Sequence, residues 1–367
     1  MIYIHIPFCK SRCLYCDFFS TTSEGLTVAY VDALLGEIGH RCGELSRARA
    51  NTLYIGGGTP SRLATAQLQR IFDRLQEVVP LEDGAEVTLE CNPDDVCQEW
   101  LHGLGMTPVN RISMGVQTLD DGLLRTLGRR HTARQARAAV DMLRGAGYTN
   151  LSLDLMYGLP GQTMEMWAKD VREFVAMRVP HLSAYSLQWE EGTALYGMKV
   201  RGEVAEADEE LSLDMYRFLC DATAMAGMEH YEISNFAMPG MRARHNSGYW
   251  RNEAYVGLGP GAHSYDGKRC RSCNPPDLRS YISSGGMPVP ETELLDEKEW
   301  YEEQILKGLR TKEGVQLASL PHTYADYAMK MARPHVKAGR MLLEDGVLRL
   351  TEDGIFVSND IMSDLML

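Results

Sequence analysis

Six β-rich apolar runs recur along the first half of this chain, with helical stretches between them. They are Ile2–Ile6, Thr52–Ile55, Glu86–Glu90, Arg111–Val116, Leu151–Met156 and His181–Leu187. The segments between them are amphipathic. In Thr65–Val79, Leu68, Ile71, Phe72 and Leu75 recur on one helical face, and Ala133–Ala146 reads the same way. Strand–helix alternation implies βαβ units and a mainly parallel sheet, hence an α/β fold. Six such units predict an incomplete barrel of (β/α)6 type. Barrels of this kind place their chemistry at the C-terminal ends of the strands. Polar and glycine-rich residues follow the runs here: Cys9–Cys16, Gly56–Thr59, Glu90-Cys91-Asn92, Gln117 and Asp154.

The first of these segments carries the sharpest chemical signal. Cys9, Cys13 and Cys16 stand at CxxxCxxC spacing directly after the first run. Iron–sulfur clusters are held by thiolates. Three thiolates on one loop can hold three irons of a cubane [4Fe-4S] cluster and leave the fourth iron without a protein ligand. An open iron can chelate the amino and carboxylate groups of S-adenosylmethionine (SAM), and the cofactor then supplies the hard chemistry. A structural zinc site is the rival reading, with Asp17 as a poor fourth ligand, but zinc usually takes four ligands in CxxC pairs. Cys270 and Cys273 form a second CxxC with no other pair near it in sequence, and are read as loop cysteines, with metal binding as the minor alternative.

With 367 residues the chain can hold one large domain and a smaller one. Nine cysteines, an odd count with one tight cluster, fit a reducing cytosol better than a disulfide framework. The apolar runs are too short to span a bilayer, and no signal peptide is read at the N-terminus, so a cytoplasmic location is expected. The net charge is −13, and the basic runs reach no further than Arg129-Arg130-His131 and Arg242-Ala243-Arg244-His245. Nucleic acid is therefore not an expected partner, nor is unaided adsorption to an anionic membrane.

After a helical stretch, Glu206–Met225, comes a Gly/Pro/Asn-rich region, Asn235–Pro276, with few periodic features. A compositional boundary falls near Gly285–Thr292. Beyond it lie a helix, Asp296–Leu309, and a small helical unit. Leu342–Val357 reads as a hairpin with turns at Asp345-Gly346 and Asp353-Gly354. This tail resembles a small winged-helix-like α+β module.

Cys9–Cys16, the run Gly56-Gly57-Gly58-Thr59-Pro60-Ser61 and Met156-Tyr157-Gly158-Leu159-Pro160-Gly161 together resemble radical SAM proteins related to oxygen-independent coproporphyrinogen III oxidase. The resemblance covers most of the chain, including the C-terminal module. His245-Asn246-Ser247-Gly248-Tyr249-Trp250 fits HNxxYW, which is similar to the heme-chaperone branch rather than the oxidases. The oxidases carry a further cysteine two residues after the third cluster cysteine, where this chain has Phe18. Only eight residues precede Cys9, so the oxidases' N-terminal extension is not expected either. The resemblance implies a partial radical SAM barrel with its cluster and SAM site in residues 1–235. Residues 236–288 form an irregular region bearing HNxxYW, and residues 289–367 a small C-terminal domain.

The same resemblance assigns expected roles. Gly57, Gly58 and Thr59 lie against the SAM methionine, since glycine lets backbone approach a ligand closely; an ordinary tight strand–helix turn is the plainer reading. Tyr3 is expected near the sulfonium and Tyr15 near the adenine, against simple packing. Glu90, Gln117, Arg129 and Asp154 are expected to hold the ribose and the methionine amino and carboxylate groups; for Arg129 a solvated helix-end charge is the plainer reading. His245 is the candidate axial ligand to heme iron, with Tyr249 and Trp250 as flat faces for the porphyrin, against a hydrogen-bonded structural histidine. His263 is a second, weaker candidate. Implied partners are heme or another tetrapyrrole, acceptor hemoproteins such as membrane-bound respiratory enzymes, with transient membrane association through them, and an electron donor for the cluster. A homodimer is left open. The enzymatic alternative is radical decarboxylation of coproporphyrinogen III.

Overall fold

The structure, a computed structural model, describes residues 1–44 and 49–367. All six expected runs are strands: β1 (Ile2–Ile6), β2 (Ala50–Gly57), β3 (Leu81–Cys91), β4 (Arg111–Gln117), β5 (Leu151–Tyr157) and β6 (His181–Ser186). They pair in parallel in the order β6-β5-β4-β3-β2-β1. Parallel strands are covered on both faces, so they read as near-continuous apolar runs. Ile2, Ile4 and Ile6 accordingly have no exposed surface.

Helices cover the outer face. Thr65–Val78 buries the expected stripe Leu68, Ile71, Phe72 and Leu75. Ala133–Gly145 starts at a capping box, in which Thr132 and Gln135 satisfy each other's backbone N–H groups. The helix expected from Glu206 begins instead at Glu209. Asp208 caps it by accepting from the Glu210 N–H, and this fixes the start three residues later than periodicity suggested.

The segment expected to be irregular is ordered. Strands β7 (Glu229–Glu232) and β8 (Asn235–Ala237) extend the sheet beyond β6, and β9 (Val256–Leu258) pairs in parallel with β1 at the other edge. HNxxYW forms a short helix, Arg244–Trp250. Cys270 and Cys273 are not loop cysteines: they end β11 (Cys270–Cys273), the centre of an antiparallel sheet with β10 (His263–Tyr265) and β12 (Glu291–Leu294). Periodicity missed this because each strand has only three or four residues. The region is pinned through one buried carboxylate. Glu37, on the helix Thr27–Arg41, accepts from Asn274 Nδ2 (2.7 Å), Gly259 N (2.7 Å) and Tyr281 Oη (2.6 Å), and pairs with Arg41 at 3.3 Å. Removing one partner of such a buried pair costs about 3–5 kcal/mol.

The C-terminal segment buries a core of its own, including Tyr301, Ile305, Leu309, Met341, Leu348 and Ile361. Its helices pack on a three-stranded sheet in the order β13-β15-β14 (Val315–Gln316, Val347–Leu350, Met341–Glu344). The Asp345-Gly346 turn is as expected, with φ of 49° and 76°, the two left-handed residues that a tight hairpin requires. Asp353-Gly354 is not a turn. It lies in a short helix, Glu352–Ile355, capped by Thr351. Among the described residues, no helix is long and apolar enough to cross a membrane.

Candidate cluster and SAM site

The three thiols follow β1 on a loop fixed from both sides. Cys9 N donates to Thr21 O (2.9 Å) and Leu14 N to Leu127 O (3.0 Å), while Leu195 N donates back to Leu14 O (2.8 Å). All three cysteines line one cavity of about 1220 Å³. Burial raises the Cys9 thiol and pushes Cys16 up to about 11. A cationic iron centre is what would hold them as thiolates, because metal binding displaces the thiol proton. Among the described residues, no three His, Cys, Asp or Glu side chains converge on a single-ion site.

The glycine loop sits directly against these thiols. A Cβ on Gly58 would lie 2.9 Å from the carbonyl oxygens of Ile6 and Phe8 and 3.0 Å from Cys9 Sγ. Gly57 has φ of +107°, and a Cβ there would meet the His5 ring at 2.5 Å. Only glycine lets the end of β2 pass this close to the thiol loop. Thr59 Oγ1 donates to Cys9 Sγ (3.5 Å) and accepts from Asn92 Nδ2 (3.2 Å). Arg129 completes the chain. It donates to Asn92 Oδ1 (2.6 Å), to Cys13 Sγ (3.3 Å) and to the Gly115 carbonyl. Its Nε is buried without a partner among the described residues. Arg129 is therefore no solvated helix-end charge. Its neighbour Arg130 pairs with Asp94 at 2.9 Å.

Glu90 and Asp154 project into the cavity from β3 and β5. Glu90 accepts from Tyr54 Oη (2.6 Å) and Gly57 N (3.1 Å), and burial pushes it up to about 7. Asp154 accepts from Ser113 Oγ (3.3 Å), and burial raises it to about 6. Gln117 ends β4 with φ of 69°, a backbone state uncommon outside glycine, at a break in the β4–β5 register. Such a conformation persists where the surroundings impose it, often at a ligand site. The structure thus brings Cys9, Cys13, Cys16, Tyr15, Gly57, Gly58, Thr59, Glu90, Gln117, Arg129 and Asp154 to one cavity. Acceptors, donors and close backbone are all present for a ligand bearing amino, carboxylate and hydroxyl groups.

Tyr3 corrects an expectation. It does not line the cavity. Its hydroxyl lies 3.1 Å from His5 Nδ1 and its ring packs 6.2 Å from Tyr54.

The heme candidates need a larger correction. Arg244 N and His245 N both donate to Glu86, near the N-terminal end of the parallel-paired part of β3. A Cβ on Gly248 would lie 2.2 Å from Met1 Sδ. HNxxYW therefore plugs the barrel at the N-terminal ends of its strands. His245 is 1% exposed, with Nδ1 at 2.8 Å from Thr52 Oγ1 and Nε2 at 2.8 Å from Tyr249 Oη. Burial lowers its basicity to about 3. Both ring nitrogens are engaged, so none is presented to an iron. The Tyr249 ring stands edge-on to His245 at 4.9 Å and to Tyr255 at 4.7 Å. Neither Tyr249 nor Trp250 lines the cavity; Asn246 alone of the motif does. His263 lies outside the cavity too, with Nε2 3.4 Å from Cys273 Sγ.

Two residues beside the cavity carboxylates escaped the sequence reading. Tyr54 orients Glu90 through its hydroxyl. Arg111 is 1% exposed, and its charge favours the ionised forms of both Glu90 and Asp154. A signal was present, for an arginine opening an otherwise apolar run demands a buried counter-ion.

Comparison with known proteins agrees with this geometry. Residues 3–174 match the Radical SAM superfamily. The chain is 36% identical to heme chaperone HemW of Lactococcus lactis subsp. lactis (strain IL1403), over 100% of this chain and 97% of that protein. It is 35% identical to heme chaperone HemW of Bacillus subtilis (strain 168), over 97% and 94%. The solved structure of coproporphyrinogen III oxidase (HemN) from Escherichia coli superposes with a TM-score of 0.84 over 99% of this chain and 89% of that one, at 22% identity, and so shares the fold. Full-length identity of this order places the chain in the HemW family of radical SAM proteins.

Proposed function

We propose that this chain is a heme chaperone. It holds a [4Fe-4S] cluster on Cys9, Cys13 and Cys16, binds SAM beside it and carries heme in the same cavity for delivery to acceptor hemoproteins, including membrane-bound respiratory enzymes. The observation that carries this reading is the cavity itself. At about 1220 Å³ it exceeds the roughly 300–1,000 Å³ typical of a single small-molecule site. The parallel strands and the C-terminal segment both line it: Tyr54 and Glu90 on one side, Phe356 and Val357 on the other. A nucleoside cofactor over the strand ends leaves room for a second, flat ligand.

When bound, the cluster and SAM supply an open iron and one-electron chemistry at a sulfonium. The chain's own residues bind and orient. Gly57 and Gly58 let backbone approach the methionine end. Arg129, with a buried unpartnered Nε, offers donors to a carboxylate. Glu90 and Asp154 accept from amino or hydroxyl donors, with Arg111 behind them. Tyr15 covers the base. An electron donor that reduces the cluster belongs to the same reading.

The test supplies reconstituted protein with hemin in one arm and with coproporphyrinogen III, SAM and reductant in the other. Stoichiometric hemin binding without decarboxylation, followed by transfer to an apo-hemoprotein, is expected. Turnover of the porphyrinogen would replace the chaperone reading with the oxidase.

A further inference from the structure

The wall of the cavity contributed by Tyr216, Arg217 and the C-terminal segment has a composition unlike the SAM side. Three arginines, Arg217, Arg310 and Arg340, line it together with the apolar side chains Leu213, Ile355, Phe356 and Val357 and the ring of Tyr216. We propose that Arg310 and Arg340 form a carboxylate-binding subsite that grips the propionates of a heme whose ring lies against Tyr216 and Phe356. This inference rests on the chaperone reading and adds which groups select the cargo.

The three guanidinium groups differ in how far they are already committed. Arg217 has Asp214 at 3.6 Å and lies 5.0 Å over the Phe356 ring, so part of its binding capacity is used. Arg310 and Arg340 have no ion-pair partner among the described residues. The Nε of Arg310 is buried and unpaired among the described residues. Its charge favours the ionised form of Glu232, a carboxyl that burial pushes up to about 7 and that accepts from Asn235. A buried donor without a partner is costly, and a ligand carboxylate would satisfy it.

Both residues are placed by backbone rather than by their own side chains. The Arg310 carbonyl accepts from Ile233 N (2.9 Å), and the adjoining Thr311 bridges to Glu232. The Arg340 carbonyl accepts from Thr351 N (3.0 Å), while Arg340 N donates to His335 O (2.9 Å). The backbone origins are thus fixed, while neither guanidinium is in an ion pair among the described residues; Arg310 is half-buried and Arg340 exposed at the rim. Glu209 and Asp353 line the same wall. Affinity for a dianion must therefore come from direct pairing with the planar forks, which match carboxylate geometry, and not from a diffuse positive field. Apolar rings beside two available guanidinium groups suit a flat macrocycle with carboxylate tails. They suit a neutral or cationic ligand poorly.

The experiment titrates the reconstituted protein with hemin and with hemin dimethyl ester, followed by Soret absorbance. The native protein is expected to prefer hemin. Arg310→Gln and Arg340→Gln are each expected to weaken hemin by about tenfold or more, the usual loss for one charge-assisted hydrogen bond, and to leave affinity for the ester unchanged. Equal native affinity for hemin and its ester overturns the subsite whether or not the variants fold. Variants that bind hemin as tightly as the native protein overturn it too. Failure of the native protein to bind either porphyrin overturns the chaperone reading itself, and this inference with it.

Discussion

The two ends of the parallel sheet use the same residue types for different ends. At the C-terminal ends of the strands, polar groups converge without completing one another. Arg129 keeps a buried Nε without a partner, Glu90 and Asp154 are both raised by burial, and Gln117 holds a left-handed backbone. At the N-terminal ends the histidines close on partners within the chain, although Arg111, which opens β4, also keeps a buried Nε unpaired among the described residues. His245 is bracketed by Thr52 and Tyr249, Glu86 accepts from two successive N–H groups, and His181 is bracketed by Ser152 (2.7 Å) and Tyr231 (2.8 Å). A buried polar group satisfied by the chain rigidifies a fold, whereas one left unsatisfied is a place for a ligand. The comparison teaches that a histidine inside a barrel must be judged by its partners and by which end of the strands it occupies.

The largest expected difference between the ends is in metal content. Replacing Cys13 by Ala should abolish the cluster, read as loss of iron, of acid-labile sulfide and of broad visible absorption. Replacing Cys270 or Cys273, which lie outside the cavity, should leave all three unchanged. Full iron and sulfide in Cys13→Ala would remove the thiol loop from the site.

His245→Ala probes the closed end. It orphans Thr52 and Tyr249 and leaves a cavity, so a stability loss of about 2–4 kcal/mol is expected in denaturant titrations. Cluster content should stay native, as should the Soret spectrum of bound hemin. A shifted Soret band in a variant of native stability would restore His245 as an iron ligand and erase the contrast between the two ends.

The sequence carried the strands and the thiol loop well because both signals are local. Six apolar runs at helix-length spacing and three cysteines on one loop need no knowledge of tertiary packing. The HNxxYW segment was harder to read for a physical reason. Its helix has only seven residues, and its partners Thr52 and Glu86 lie more than 150 residues away in the chain. Nothing local distinguishes an imidazole with two buried partners from one aimed at a ligand. Tyr3 is a milder case of the same limit, since alternation along β1 gives the face but not the neighbour that takes the hydroxyl. Tyr54 and Arg111 were missed because each acts through a carboxylate on another strand.

A smaller effect is expected at Arg129. Its guanidinium ties Asn92, Gly115 and Cys13 together and has a donor to spare. Arg129→Ala should weaken SAM by about tenfold or more, measured by perturbation of the reduced cluster's electron paramagnetic resonance signal. Iron content should be retained, because the thiols themselves remain. Unchanged SAM affinity would make Arg129 a strut of the thiol loop and nothing further.

The smallest expected effect is a pH dependence, and Glu90 sets its sign. Burial is the main cause that raises this carboxyl to about 7, while the Tyr54 hydroxyl and Gly57 N–H oppose the rise. A carboxyl raised in the folded state above its unfolded value of 4.5 binds more protons folded than unfolded in between. Its contribution to stability is therefore fully present below pH 4.5 and is lost as the pH climbs through about 7. SAM affinity should run the opposite way. An ionised carboxylate accepts from an amino or hydroxyl donor more strongly than a neutral carboxyl does, so affinity should rise severalfold between about pH 6 and pH 8. Glu90→Gln keeps the shape and removes the titration. It should flatten both profiles, with stability near pH 7 equal to or above that of the native protein because a buried charge is gone. Asp154, raised to about 6, leaves a residual slope at lower pH. If Glu90→Gln kept the full native pH profile of SAM binding, the open end of the sheet would owe its pH response to another group, and the carboxylate facing Tyr54 would be as structural as Glu86 at the closed end.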